Sequence, residues 1–78
     1  MSLFSSPKIF TGHQQIKDAL YQLKSLDYRQ RPKVYESLIK ELDDGGVTAE
    51  EIKKVVRQLR EKGEISEIDR DNLLSLIK

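Results

Sequence analysis

Carboxylates offer the most chemistry in this chain, and their spacing at one bend suggests a metal. Asp44-Gly45-Gly46-Val47-Thr48 followed by Glu51 has the order of the second half of a calcium loop: acid, glycine, aliphatic residue, oxygen ligand, closing glutamate. In that register Lys40 and Leu42 fall at the first and third ligand positions. A lysine supplies no oxygen and repels the cation, so the stretch predicts no metal. The same residues read fully as one helix end followed by another helix start. The chain holds one histidine and no cysteine. His13 falls at a predicted helix start, and no pattern supplies the positioned partner that a catalytic base needs. There is no His/Cys metal set, no glycine-rich phosphate loop with its lysine and no nucleophile elbow. Seventy-eight residues are also few for enclosing a water-excluding pocket. The expectation is a chain with no catalytic activity, no cofactor and no metal.

Binding chemistry is better represented. Tyr28-Arg29-Gln30-Arg31-Pro32-Lys33 sets three cations beside an aromatic ring, a combination that can hold phosphates while the ring stacks on a base. Lys53, Arg57 and Arg60 share one face of a predicted helix. Joined, Arg29, Arg31, Lys33, Lys53, Arg57 and Arg60 define a candidate nucleic-acid surface. Gly46-Val47-Thr48-Ala49-Glu50-Glu51-Ile52 looks like the start of a recognition helix, but such a helix presents its first residues to the groove. Here those are Ala49, Glu50 and Glu51, and two carboxylates between phosphates weaken binding. The alternative is a protein interface. Tyr21 and Tyr28 lie two turns apart, on the side away from the apolar stripe of their helix. Together with Leu73, Leu76 and Ile77 near the C-terminus they form a candidate contact patch, because exposed tyrosines beside arginines are common interaction anchors.

Helices must position these residues. Thr11 and Gln14 fit a capping box, in which each side chain satisfies the other residue's backbone N–H. Ile16, Ala19, Leu20 and Leu23 follow at helical spacing, predicting a helix over about 12–26. Pro32 suits a helix first turn, since its missing N–H would have no partner there. Val34, Tyr35, Leu38, Ile39 and Leu42 make one apolar stripe over about 32–43, which Asp43-Asp44-Gly45-Gly46 ends. Thr48 and Glu51 form the strongest start signal, with Val47 and Ile52 as a hydrophobic staple. That helix spans about 49–62 and stops at Gly63. Ser66 and Asp69 repeat the box with a shorter acid and open a helix over about 67–77. Its apolar residues Ile68, Leu73, Leu74, Leu76 and Ile77 cover more arc than one neighbour can cover, which points to a second protomer. No segment alternates with a period of two, so no sheet is expected.

The fold class predicted is all-α, a compact array of four short antiparallel helices. Residues 1–10 read as a flexible tail with Ile9 and Phe10 packed on the domain, and 11–78 as a single helical domain. Fourteen bases against thirteen acids give a net charge of +1, far less basic than most nucleic-acid-binding domains. The charge is unevenly spread: residues 1–40 carry +4 and residues 41–78 carry −3. Such halves favour self-association. No apolar run approaches the roughly 20 residues that span a bilayer, and residues 1–7 lack the pattern of a signal peptide. With no cysteine to staple a secreted fold, the chain reads as cytoplasmic. The expected function is a small non-enzymatic interaction or regulatory module, its partner another protein or a second copy in a homodimer. Nucleic acid is the alternative partner, and no membrane is expected.

Overall fold

In the computed structural model, which describes residues 8–42 and 46–77, four helices are joined by short links. Their order is β1 (Lys8–Phe10), α1 (His13–Gln22), α2 (Gln30–Lys40), β2 (Val47–Thr48), α3 (Ala49–Glu61) and α4 (Glu67–Leu74), closed by a 3-10 turn over Ser75–Ile77. The helices pack in chain order, α1 on α2, α2 on α3 and α3 on α4. Phe10, Ile16, Leu20, Leu26, Val34, Leu38, Val47, Ile52, Val55, Val56, Leu59, Ile65 and Leu73 form one buried core. At roughly 1.5–3 kcal/mol for each fully buried side chain, these residues dominate the drive to fold.

The expectation of no sheet is corrected. β1 and β2 pair antiparallel, with Lys8 opposite Thr48, Phe10 opposite Val47 and an irregularity between them. Strands of three and two residues are too short to display a period of two. Gly46 permits the pairing: a Cβ there would lie 2.7 Å from the Phe10 carbonyl oxygen and 2.9 Å from Lys8 Cδ. Only hydrogen fits at that approach. The pairing also anchors Phe10 in the core, while residues 1–7 lie outside the described residues.

Two of the predicted boxes form as read. The Thr48 hydroxyl accepts from the Glu51 N–H (3.3 Å) and the Glu51 carboxylate accepts from the Thr48 N–H (2.9 Å). The Ser66 hydroxyl accepts from the Asp69 N–H (3.1 Å) and Asp69 Oδ2 from the Ser66 N–H (3.0 Å). Gly63, with φ of 74°, closes α3. The Glu64 N–H bonds the Leu59 carbonyl (2.9 Å) and the Gly63 N–H bonds that of Arg60 (3.0 Å), the two bonds of a Schellman ending.

The first helix starts and stops differently from the prediction. Gly12 precedes it without a side-chain cap. Gln15, not Gln14, reaches back, accepting from the Thr11 N–H (2.6 Å) and hydroxyl (3.1 Å). α1 ends at Gln22 rather than near Leu26: the Leu23 and Leu26 N–H groups turn back onto the Leu20 and Leu23 carbonyls, both at 3.1 Å, and a distant side chain adds a second donor to each. Arg31 donates from Nε to the Leu20 carbonyl and from Nη2 to that of Leu23, both at 3.2 Å. The chain then turns and buries Leu26.

A third box caps α2. Asp27 Oδ1 accepts from the Arg29 and Gln30 N–H groups at 2.9 Å, and Gln30 Oε1 accepts from the Asp27 N–H at 2.9 Å. The helix therefore nucleates ahead of Pro32, whose missing N–H leaves the Tyr28 carbonyl without an intrahelical donor. α2 ends at Lys40, short of the expected 43, with the Glu41 and Leu42 N–H groups bonding the Leu38 and Ile39 carbonyls at 3.0 and 2.9 Å; the expected glycine exit at Asp43–Gly45 lies outside the described residues.

Gln30 also joins two caps. Its Nε2 donates to Asp69 Oδ2 at 2.9 Å, and more weakly to the Glu64 carbonyl at 3.5 Å. Asp69 is a buried charged residue, 1% exposed. Burial alone pushes its pKa up. The nearby Ser25 hydroxyl, the Ser66 amide and hydroxyl and the Gln30 amide outweigh burial, so its carboxyl titrates below the usual range. The Ser25 hydroxyl accepts from the Asn72 amide at 2.8 Å. Asp69 Oδ1 is buried and has no hydrogen-bond partner among the described residues.

Candidate docking grooves

The structure places seven of the eleven candidate residues in two surface grooves; Arg29, Lys33, Leu73 and Leu76 line neither. The first, of about 470 Å³, lies between α1 and α2. Leu20 and Pro32 form its apolar base, Lys17 and Arg31 supply its charge, and Tyr21, Tyr28 and Tyr35 form its walls. These are all three tyrosines of the chain, at intervals of seven residues. Tyr21 and Tyr28 are 75% and 76% exposed; Tyr35 is half-buried. The Arg31 guanidinium, fixed by the two α1 carbonyls, sits 5.7 Å from the Tyr21 ring centroid. Arg29 lies 5.8 Å from that of Tyr28. Both distances allow cation–π attraction, about 0.5–1 kcal/mol at exposed sites. Arg31 is thus a scaffold for the groove, its position set by two backbone carbonyls and one ring.

The second groove, of about 650 Å³, runs between α3 and α4. Val56, Leu74 and Ile77 form an apolar floor, and Lys53, Arg57, Arg60 and Arg70 rim it against a single acid, Glu61. Arg60 is partly committed: Nη1 donates to the Ile65 carbonyl at 3.1 Å, and Nη2 lies 4.0 Å from Glu67. Arg70 pairs with Asp71 at 3.1 Å. Among the described residues, Lys53 and Arg57 have no ion-pair partner.

Sequence reasoning placed Tyr21 and Tyr28 on one surface, and the structure brings them to one groove. It missed Tyr35, counted with the core stripe of α2; the seven-residue interval was the available signal. Leu73 requires a correction. It was read as contact surface, yet it is 1% exposed, because Asp69 and Leu73, one turn apart, define the inward face of α4. Leu76 and Ile77 are half-buried against the core, so much of the apolar arc of α4 is covered within the same chain. Ile68, 66% exposed, stays in solvent.

The six cations do not line one groove. Arg31 lines the first, Lys53, Arg57 and Arg60 line the second, and Lys33 lies 3.8 Å from Glu64. At the calcium-like bend, Asp43 to Gly45 lie outside the described residues, and the Glu51 carboxylate is bonded to the Thr48 N–H. Among the described residues, no three metal-ligating side chains gather at one point, and no helix is long and apolar enough to cross a membrane. The chain matches no known family model, curated protein or solved structure.

Proposed function

We propose that this chain is a non-enzymatic recognition module that binds protein through the tyrosine groove, with a second copy of the chain as one partner. The observation that carries the reading is the convergence of Tyr21, Tyr28 and Tyr35 on an apolar base beside a pre-fixed arginine. Tyrosine supplies large, amphipathic contact area at low entropic cost, and interface energy concentrates on such anchors. Self-association follows from charge: Lys17 and Arg31 at the groove face outward from the +4 half of a chain whose other half carries −3.

Light scattering over a wide concentration range tests the reading. The mass is expected to rise with concentration for the wild type. Tyr21→Ala and Tyr28→Ala are expected to suppress that rise while leaving the melting temperature nearly unchanged, since both rings are mostly in solvent. A monomer at every concentration, with both variants indistinguishable from wild type, overturns it.

A second reading is supported by the placement of Arg29 beside the exposed Tyr28 ring, a pairing suited to stacking on an unpaired base. On this reading the module binds single-stranded nucleic acid. A mobility shift that weakens with salt and is lost in Tyr28→Ala supports it, and no shift at low salt removes it.

A further inference from the structure

The α3–α4 groove shares a cationic character with the tyrosine groove but differs from it in its walls and floor. Its floor is aliphatic, from Val56, Leu74 and Ile77, and its rim is cationic. Among the described residues it has no aromatic wall. On α3 the cations Lys53, Arg57 and Arg60 follow at intervals of four and three, one helical stripe. On α4 and the turn after it, Arg70, Leu74 and Ile77 repeat that spacing. Two such stripes bound a trough whose length from Lys53 to Arg60 is about 10 Å, seven residues at about 1.5 Å each. A trough of that length holds two turns of a helix.

We infer that this groove is a second binding site, one that takes an acidic amphipathic helix of a partner protein. Aliphatic side chains spaced i, i+3 or i+4, and i+7 lie on Val56, Leu74 and Ile77, as in other helix-in-groove contacts. Glutamates or aspartates flanking them meet Lys53 and Arg57, the two rim cations without an ion pair among the described residues. Charge complementarity selects the acidic partner: four cations surround the floor against one carboxylate, Glu61. Nucleic acid fits less well. Phosphates gain nothing from an aliphatic floor, no ring is present for a base to stack on, and Glu50 and Glu51 open the same helix.

The test titrates a dye-labelled synthetic helix, with leucines at that spacing and glutamates between them, into the full chain and follows anisotropy. Saturable binding is expected, weakening as salt is raised. Lys53→Gln combined with Arg57→Gln is expected to lower affinity about tenfold, equivalent to about 1.4 kcal/mol, with unchanged circular dichroism. Tyr28→Ala is expected to leave this binding intact, which separates the site from the tyrosine groove and makes the two proposals fail independently. The inference is overturned by absence of binding, by a double variant that binds as wild type does, or by an equally charged single-stranded DNA that displaces the peptide. It is equally overturned by a self-associated form of the chain that the peptide fails to enter.

Discussion

The bond between Gln30 and Asp69 connects the N-terminal caps of α2 and α4, and its removal should uncouple two distant boxes. Asp69→Ala deletes a carboxylate that accepts from the Ser66 N–H and from Gln30 Nε2. A lost cap is worth about 1 kcal/mol, and a hydrogen bond to a charged group about 1.5–3 kcal/mol. Removing the unpartnered Oδ1 returns part of that, so a net loss of about 2–3 kcal/mol is expected. Gln30→Ala takes away the acceptor for the Asp27 N–H and the donor to Asp69, with a loss of about 2.5–4 kcal/mol on the same arithmetic. If the shared bond carries the linkage, the double variant costs less than the sum of the singles by about 1.5 kcal/mol, within the range found for residues in direct contact. Urea unfolding measures all four proteins. With a slope of roughly 1 kcal/mol per molar for a small domain, each single variant should lower the midpoint by about 2–4 M. Strict additivity within about 0.3 kcal/mol would refute the linkage and reduce the two boxes to independent local caps.

Three further outcomes follow from the same geometry. Acidification should erase the contribution of Asp69: its folded pKa is depressed, so its stabilisation is complete above the unfolded value of about 3.9. That contribution is lost as pH falls below this value through the folded pKa. The midpoint difference between wild type and Asp69→Asn should therefore shrink on acidification, and a difference that grows would show that the carboxylate is not the stabilising form. Gly46→Ala should cost about 1–3 kcal/mol, because its Cβ meets the Phe10 carbonyl. Loss of hydrogen-exchange protection in β1 and β2 ahead of the helices would locate the damage, and unchanged protection there would contradict the packing. Arg31→Ala should leave the Leu20 and Leu23 carbonyls with only their backbone donors, the Leu23 and Leu26 N–H groups, and speed amide exchange at the end of α1 with a loss of about 1 kcal/mol; exchange no faster than wild type would show that water replaces the guanidinium without cost.

Features that act within one helical turn were legible in the sequence. The boxes at Thr48 and Ser66 and the glycine ending at Gly63 use side chains and N–H groups three or four residues apart, and four helices followed from them. Asp27–Gln30 carries the same signature, but Pro32 drew the expected start of α2 past it. Interactions that cross between elements were not legible. Arg31 bonds the end of α1 from eight to eleven residues away, and nothing local in Leu20–Leu23 foretells it. The β1–β2 pair depends on Gly46 approaching Phe10 across more than thirty residues, and its strands are too short to announce themselves. Leu73 was assigned to the surface because the apolar arc of α4 was wide, but width does not say which part of an arc faces inward.

The site divides along the same line. That Tyr21 stays in solvent was readable from its place off the apolar stripe; Tyr28 was placed beside it by continuing the first helix, whereas α1 ends at Gln22 and the link to α2 brings Tyr28 there, and that Tyr35 joins them depends on how α1 meets α2. Arg31 decides that meeting. Its guanidinium bonds the last carbonyls of α1, its backbone belongs to α2, and its upper face lies against Tyr21. The contact at the end of the first helix therefore also sets the distance between the groove's walls. A side chain chosen only to stop a helix could have been a glycine at the exit, which imposes a left-handed turn without reaching a neighbour. An arginine supplied from the next helix bonds the carbonyls where α1 ends and lies against Tyr21 in one step, so the fold itself sets one wall of the groove.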